Sequence, residues 1–261
     1  MIPLPVATRT RLQKVAKDTG FDLALPSAAG EGGPWLSFAS THCPLRIWLG
    51  QFGEAVFLVA FSQQNVARTI GPYGTPMLGP LPDGAMGGVT VVDIPSLYRL
   101  LRRSFQLANT LPDELLHVFE RETAALPRTT EVERREVQRV GQGIFRGGLL
   151  DYWEGRCAMT GFAVPELLRA SHIKPWAACA RDRERLDVFN GMLLAPHLDA
   201  AFDRGFITVE DDGAVVVSSL VDDVARGLLM LASALRVQNL REQHRAYLAW
   251  HRARVFRPQM V

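Results

Sequence analysis

One stretch of this chain limits what it can fold into more than any bulk property does. It runs from Cys157 to Ser218 and reads CAMTGFAVPELLRASHIKPWAACARDRERLDVFNGMLLAPHLDAAFDRGFITVEDDGAVVVS. Read locally, LLRASHIKP is a short strand that presents His172 at its end and is closed by Pro175. A charged loop (180–187) follows. Asn190–Gly191 is a turn signal, and MLLA is then a brief apolar strand. Pro196 suits the first turn of a helix, which carries His197, Asp199 and Asp203 until Gly205 ends it. The order is therefore strand, loop, strand, helix, with a histidine at one end and paired carboxylates at the other.

Those residue types suit phosphodiester hydrolysis. A neutral imidazole can take a proton from water in line with phosphorus. A hard divalent cation that neutralises the developing charge prefers oxygen ligands. Asp199 and Asp203 lie four residues apart, so on a helix their carboxylates project to one side. An asparagine can bond backbone groups on two sides at once and so hold the loop that carries the histidine; Asn190 is placed for that.

The pattern C-x-x-T-G, S-H-I-x-P-W, N-G-x-x-L and D-x-x-F-D-x-G resembles the HNH endonuclease family, the ββα-metal nucleases. Here it is carried by Cys157, Thr160, Gly161, Ser171, His172, Ile173, Pro175, Trp176, Asn190, Gly191, Leu194, Asp199, Phe202, Asp203 and Gly205. The resemblance implies that His172 is the general base, that Asn190 positions the loop, and that Asp199 stands where the last motif histidine would bind metal. Two departures matter. Ser171 occupies the place where many relatives have an aspartate ligand, so the second ligand is left open among Asp203, His197, a backbone carbonyl and water. A carboxylate at 199 favours Mg²⁺ or Mn²⁺ over zinc, and the cysteine pairs that bind structural zinc in some relatives are missing.

The rest of the chain surrounds this module. An amphipathic helix is expected within the first 20 residues, then turn material at 28–34, and strand-like runs from Trp35, Leu45 and Ala55. The Gly- and Pro-rich segment 71–88 should be an ordered loop or hairpin-like excursion. After Asp93 a helix puts Leu97, Leu100, Leu101 and Phe105 on one face, and a second runs from 112 to about 125. Pro127 suggests a domain boundary at 126–130. Thr130 and Glu133 have capping-box spacing for a new helix that turns Val137, Val140 and Ile144 inward. Gly141, Gly143, Gly147 and Gly148 weaken its second half and predict a bend or break before LLDYW. Further helices are expected near 224–235 and 240–254.

The expected fold class is α+β: a mixed strand and helix domain over 1–126, then the ββα-metal nuclease domain over 127–261 with flanking helices and its motif core at 157–218. The 261 residues carry a net charge of only +2, which decides nothing about nucleic acid. Its basic residues are nearly all arginines, for which GC-rich coding is explanation enough. Arg241 and Arg245, with Arg252, fall near one helical face and form a candidate phosphate-contacting stripe. Lys174 and Arg204 are candidate nucleic-acid contacts within the module. Cys43, Cys157 and Cys179 form no C-x-x-C pair, so buried thiols are expected rather than disulfides or zinc ligands. The opening lacks the apolar core of a signal peptide and no run is long enough to span a bilayer, so a cytoplasmic protein is expected.

The function expected on these grounds is DNA cleavage with one Mg²⁺ or Mn²⁺ ion. The resemblance suggests restriction or phage defence, with the N-terminal domain as a specificity or sensing module for a modified base or small ligand. A two-fold homodimer would suit double-strand cutting. The rival readings are a degenerate module that grips DNA without cutting and an RNA-directed nuclease.

Overall fold

The computed structural model describes residues 3–26, 33–53, 55–111, 113–127, 129–231 and 233–258. The turn expected at 28–34 falls for the most part outside them. The protein is α+β and divides into two compact units, 1–111 and 112–261.

The first unit is built on an antiparallel six-stranded sheet. Its strands are β1 (Leu23–Leu25), β2 (Trp35–Ala39), β3 (Ile47–Phe52), β4 (Val56–Phe61), β5 (Thr75–Pro76) and β6 (Gly87–Val91), in the order β1-β2-β3-β4-β6-β5. The centre, β3 against β4, reads as nearly continuous aromatic and branched residues because it is covered on both faces. Ile47, Leu49, Val59 and Phe61 are fully buried. Helices α1 (Val6–Asp18), α2 (Gln64–Thr69) and α3 (Ile94–Thr110) pack in this unit. Leu12, Val15 and Ala16 come from α1, and Leu97, Leu100, Leu101 and Leu107 from α3. Asp93 caps α3 by accepting from the Ser96 N–H at 2.6 Å. The Gly- and Pro-rich excursion is the hairpin-like one expected, since β5 pairs with β6. Strand β6 escaped sequence reading because it opens on Gly87–Gly88. At Gly88 a side chain would meet the Val59 carbonyl at 2.8 Å.

The second unit begins with α4 (Glu114–Thr123) and α5 (Glu131–Tyr152). Contacts place the break between units at Leu111, not at 126–130. The reason is that α4 buries Leu115 and Phe119 against α5. The capping box at the start of α5 is present: Glu133 N–H reaches Thr130 Oγ1 at 3.2 Å and Thr130 N–H reaches Glu133 Oε2 at 2.8 Å.

The expected break in α5 does not occur; it runs as one helix of 22 residues. Its inward stripe is Val137, Gly141, Phe145, Gly148 and Tyr152, shifted from the predicted Val137, Val140 and Ile144. Two of the glycines lie on that stripe because neighbours come too close for a side chain. A Cβ at 148 would collide with the Leu115 side chain, and one at 141 would meet Trp176 at 2.6 Å. Gly143 and Gly147 face open space.

The remaining elements are β7 (Arg169–His172), α6 (Asp182–Arg185), β8 (Gly191–Leu194), α7 (Pro196–Asp203), β9 (Ile207–Val209), β10 (Val215–Val217), α8 (Asp223–Leu228) and α9 (Glu242–Arg254). The helix expected over 224–235 is cut short. Met230 turns left-handed at φ 57°, and Leu231 N–H returns to the Arg226 carbonyl at 2.8 Å, closing a Schellman end. Gly205 ends α7 in the same way at φ 74°. No helix among the described residues is long and apolar enough to cross a membrane.

Helix α9 secures the back of α7. His251 stacks on Phe202 at 3.8 Å and its Nε2 donates to the Phe202 carbonyl at 3.1 Å. Since a carbonyl only accepts, Nδ1 takes the Thr208 hydroxyl proton at 3.0 Å. His244 is wholly buried among Tyr152, Trp153 and Phe189. Burial lowers both imidazoles to about 4.

Two predictions follow from this packing. Gly143→Ala should stabilise the protein by about 0.5–1 kcal/mol through helix propensity, whereas Gly148→Ala should cost about 1–3 kcal/mol by overpacking; opposite shifts in urea midpoint are expected, and equal shifts would refute the contact-stripe assignment. Because His244 and His251 are held neutral in the fold but titrate near 6.5 when unfolded, their contribution is complete above pH 6.5. It is lost as pH falls from there toward 4. His251→Gln should flatten the pH dependence of the midpoint across that window, and an unchanged slope would exclude this origin.

Candidate active site

The site is assembled on the antiparallel pair β7–β8, where Ser171 faces Met192 and His172 faces Gly191. The turn Cys157–Phe162 docks on this pair. Ala158 N–H bonds the Leu193 carbonyl at 2.8 Å, and Gly161 adopts φ 73°. The C-x-x-T-G residues thus form a turn.

Gly191 is not the turn glycine that the Asn-Gly pair suggested. Its φ of −149° suits any residue. What it supplies is space: a Cβ there would meet Phe145 at 2.5 Å and Leu149 at 2.8 Å. Through that gap Phe145 stacks on His172, with centroids 3.8 Å apart and planes 14° apart. Trp176 meets the same imidazole edge-on at 5.7 Å.

His172 Nε2 lies 2.8 Å from the Arg185 carbonyl. The carbonyl can only accept, so Nε2 carries the proton and Nδ1 keeps its lone pair. Burial lowers the His172 pKa, favouring the neutral ring.

The segment whose Arg185 carbonyl orients His172 is itself held by Asn190, which is completely buried. Asn190 Oδ1 accepts from Lys174 N–H at 2.8 Å. Its Nδ2 donates to the carbonyls of Glu184 at 2.9 Å and Lys174 at 3.1 Å, and lies 3.4 Å from Cys179 Sγ. The amide therefore ties both ends of segment 174–184 to the start of β8. Glu184 adds a second tie, accepting from Lys174 Nζ and Ala180 N–H, each at 2.9 Å.

Across the cleft, α7 presents Asp199 and Asp203. Ser171 Oγ donates to Asp203 Oδ1 at 3.1 Å and lies close enough to Asp199 to favour its charged form. Partial desolvation raises the pKa of both carboxyls, and the charge of Asp199 raises Asp203 further. Among the described residues no lysine or arginine is ion-paired with either. His172, Ser171 and the two aspartates share a cleft of about 550 Å³ whose wall also includes Phe145, Trp176 and Arg169.

Residues 157–210 match the family model described as HNH endonuclease. This segment is an HNH endonuclease module. Its family is one of nucleases, phosphodiester hydrolases that act on nucleic acid and generally use a divalent metal. No curated protein matches the chain.

Within the HNH module the predicted residues separate into those brought together and those left apart. His172, Asp199 and Asp203 line one cleft, and Asn190 lies beneath it. His197 does not join them: Nε2 of its half-buried ring is enclosed without a partner, away from the cleft wall. No trio of His, Cys, Asp or Glu side chains gathers as a metal cage among the described residues. Lys174 is committed to Glu184 rather than open to phosphate. Arg204 sits exposed at the end of α7.

Two arginines of the stripe on α9 are engaged locally: Arg245 pairs with Glu242, and Arg252 is spent on the Val209 carbonyl and Asp211, each at 2.7 Å. Arg241 opens the helix, its backbone N–H donating to His244 Nδ1 at 3.0 Å. Sequence reading missed Phe145, Arg169 and Arg185. The spacing of Gly141 and Gly148 around Phe145 was the available signal for the first. Strand alternation, which puts Arg169 on the face of Ser171, was the signal for the second.

Asn190→Asp keeps the shape of the side chain but turns a carboxylate toward the Lys174 and Glu184 carbonyls. A loss of about 2–4 kcal/mol is expected from unmet and repelling buried groups, with faster hydrogen exchange over 173–185. Unchanged exchange there would contradict the clamp.

Proposed function

We propose that this protein is a metal-dependent endonuclease that hydrolyses DNA phosphodiester bonds in its HNH module. One observation carries the reading: the His172 imidazole is fixed with Nε2–H on the Arg185 carbonyl, leaving a basic Nδ1 in a cleft shared with Asp199 and Asp203.

His172 is the general base. Nδ1 takes a proton from water as the water oxygen bonds to phosphorus. The bond from phosphorus to the 3′ oxygen breaks, and that oxygen is protonated from solvent, giving a 5′-phosphate and a 3′-hydroxyl. Phe145 and Trp176 exclude water from the ring faces and help hold the imidazole neutral.

The donor set fits a hard cation: two carboxylates with raised pKa, the charge of one opposing ionisation of the other, ion-paired with no lysine or arginine among the described residues, and with a hydroxyl donating to one of them. Asp199 and Asp203 would hold Mg²⁺ or Mn²⁺, the remaining positions going to water and phosphate oxygens, as is usual for these ions. Bound there, the ion supplies charge neutralisation at the phosphate and the leaving oxygen. By analogy alone, the 1–111 unit is assigned the role of specificity or sensing module, in restriction or phage defence.

The test is nicking of supercoiled plasmid, and of an RNA of matched length, with Mg²⁺ or Mn²⁺. Wild type should nick DNA, and His172→Ala should lower the single-turnover rate by about 10²–10⁴-fold. Cleavage confined to RNA would reassign the substrate. No cleavage of either polymer with any divalent ion would leave a module that only grips nucleic acid.

A further inference from the structure

The cations of the cleft wall are Arg146 and Arg169. Arg146 is occupied, its two terminal nitrogens donating to the carbonyls of Leu168 at 2.6 Å and Pro165 at 2.8 Å. Nearby Lys174 and Arg185 are also occupied, by Glu184 and by Asp182 with the Cys179 carbonyl. Arg169 differs. It is exposed, opens β7 on the side of Ser171, and among the described residues its guanidinium meets no hydrogen-bond acceptor or ion-pair partner. It is close enough to Asp199 for its charge to favour that carboxylate.

Charge bookkeeping gives this cation a task. Two carboxylates cancel the charge of one divalent ion, and His172 is neutral before reaction. The site would then offer a phosphodiester no net attraction, and would oppose the second negative charge that develops on the phosphoryl oxygens as water adds. A free guanidinium on the cleft wall supplies the missing charge, and its fork can bond two phosphate oxygens at once.

We propose that Arg169 is a substrate-binding and catalytic residue that grips the phosphoryl group being cleaved through its non-bridging oxygens. This assignment rests on the nuclease reading above. It predicts two separate losses. Removing one preorganised donor to a developing oxyanion lowers rate by about 10²–10³-fold. Removing one phosphate contact lowers the slope of log affinity against log salt by about one unit.

The experiment uses the full-length chain. Single-turnover nicking is compared for wild type, Arg169→Gln and Arg169→Lys across a Mg²⁺ titration. Binding of a fluorescein-labelled 20-base-pair duplex is compared, from 50 to 300 mM KCl, for His172→Ala and for His172→Ala combined with Arg169→Gln. The expected result is a rate loss of about 10²-fold or more for Arg169→Gln at saturating Mg²⁺, together with the shallower salt slope. Arg169→Lys should restore the slope but only part of the rate, because an ammonium lacks the fork. A wild-type rate in Arg169→Gln overturns the proposal. So does a rate loss that added Mg²⁺ repairs with the salt slope unchanged, since that would make Arg169 a neutraliser of Asp199. If wild type itself does not cleave, the nuclease reading fails by the plasmid assay, while the salt slopes still report whether Arg169 touches phosphate.

Discussion

The buried amide of Asn190 is the interaction on which the rest of the site depends. Between the two strands of the module the chain makes a long excursion without β-structure, anchored at its ends by buried Ile173, Leu186, Val188 and Phe189. Across the charged stretch between those anchors, Asn190 supplies the fixed points. Its oxygen and nitrogen bond backbone at both ends of the excursion, and enclosure makes each unmet bond costly. The Arg185 carbonyl, one residue beyond the Glu184 carbonyl that Asn190 holds, then fixes the tautomer of His172. The loop fold and, through it, the placement of the carbonyl that sets the His172 tautomer thus depend on one fully buried side chain.

A second constraint acts from behind. Helix α5 reaches the strand pair only because glycines stand where its neighbours converge: Gly191 admits Phe145 and Leu149, Gly141 admits Trp176, and Gly148 admits Leu115. Phe145 and Trp176 are the rings that flank His172, so the packing of a helix outside the matched segment controls the solvation of that imidazole. Helix α9 does the corresponding work for the carboxylates, since His251 anchors the Phe202 backbone between Asp199 and Asp203.

What could be read from the sequence follows from the range of the interactions involved. The strand–loop–strand–helix order was legible because Pro196 and Gly205 act within one turn of the backbone. Asn190 was legible because the family pattern places it. The glycines of α5 were misread as weak points, since propensity is local whereas the reason for Gly141 and Gly148 lies in side chains on other elements. The arginine stripe failed similarly: helical spacing put Arg252 on the right face but could not reveal that the turn after β9 offers it a carbonyl and a carboxylate. In the first unit, β3 and β4 announced themselves by composition, and β6 did not, because its early residues are chosen for closeness to β4 and not for strand preference.

The electrostatics of the cleft also explain why Ser171 can stand where an aspartate would be expected. A third carboxylate against Asp199 and Asp203 would add repulsion to a pair whose ionisation is already opposed by desolvation and by mutual charge. A hydroxyl does the reverse: it donates to Asp203 and favours the charged form of both carboxyls. On the proposed reading, Ser171 exchanges one ligand for a better-ionised pair, and two negative charges balance a divalent ion that three would overcompensate. Under that balance the guanidinium of Arg169, without a partner among the described residues, becomes the source of attraction for an incoming phosphate.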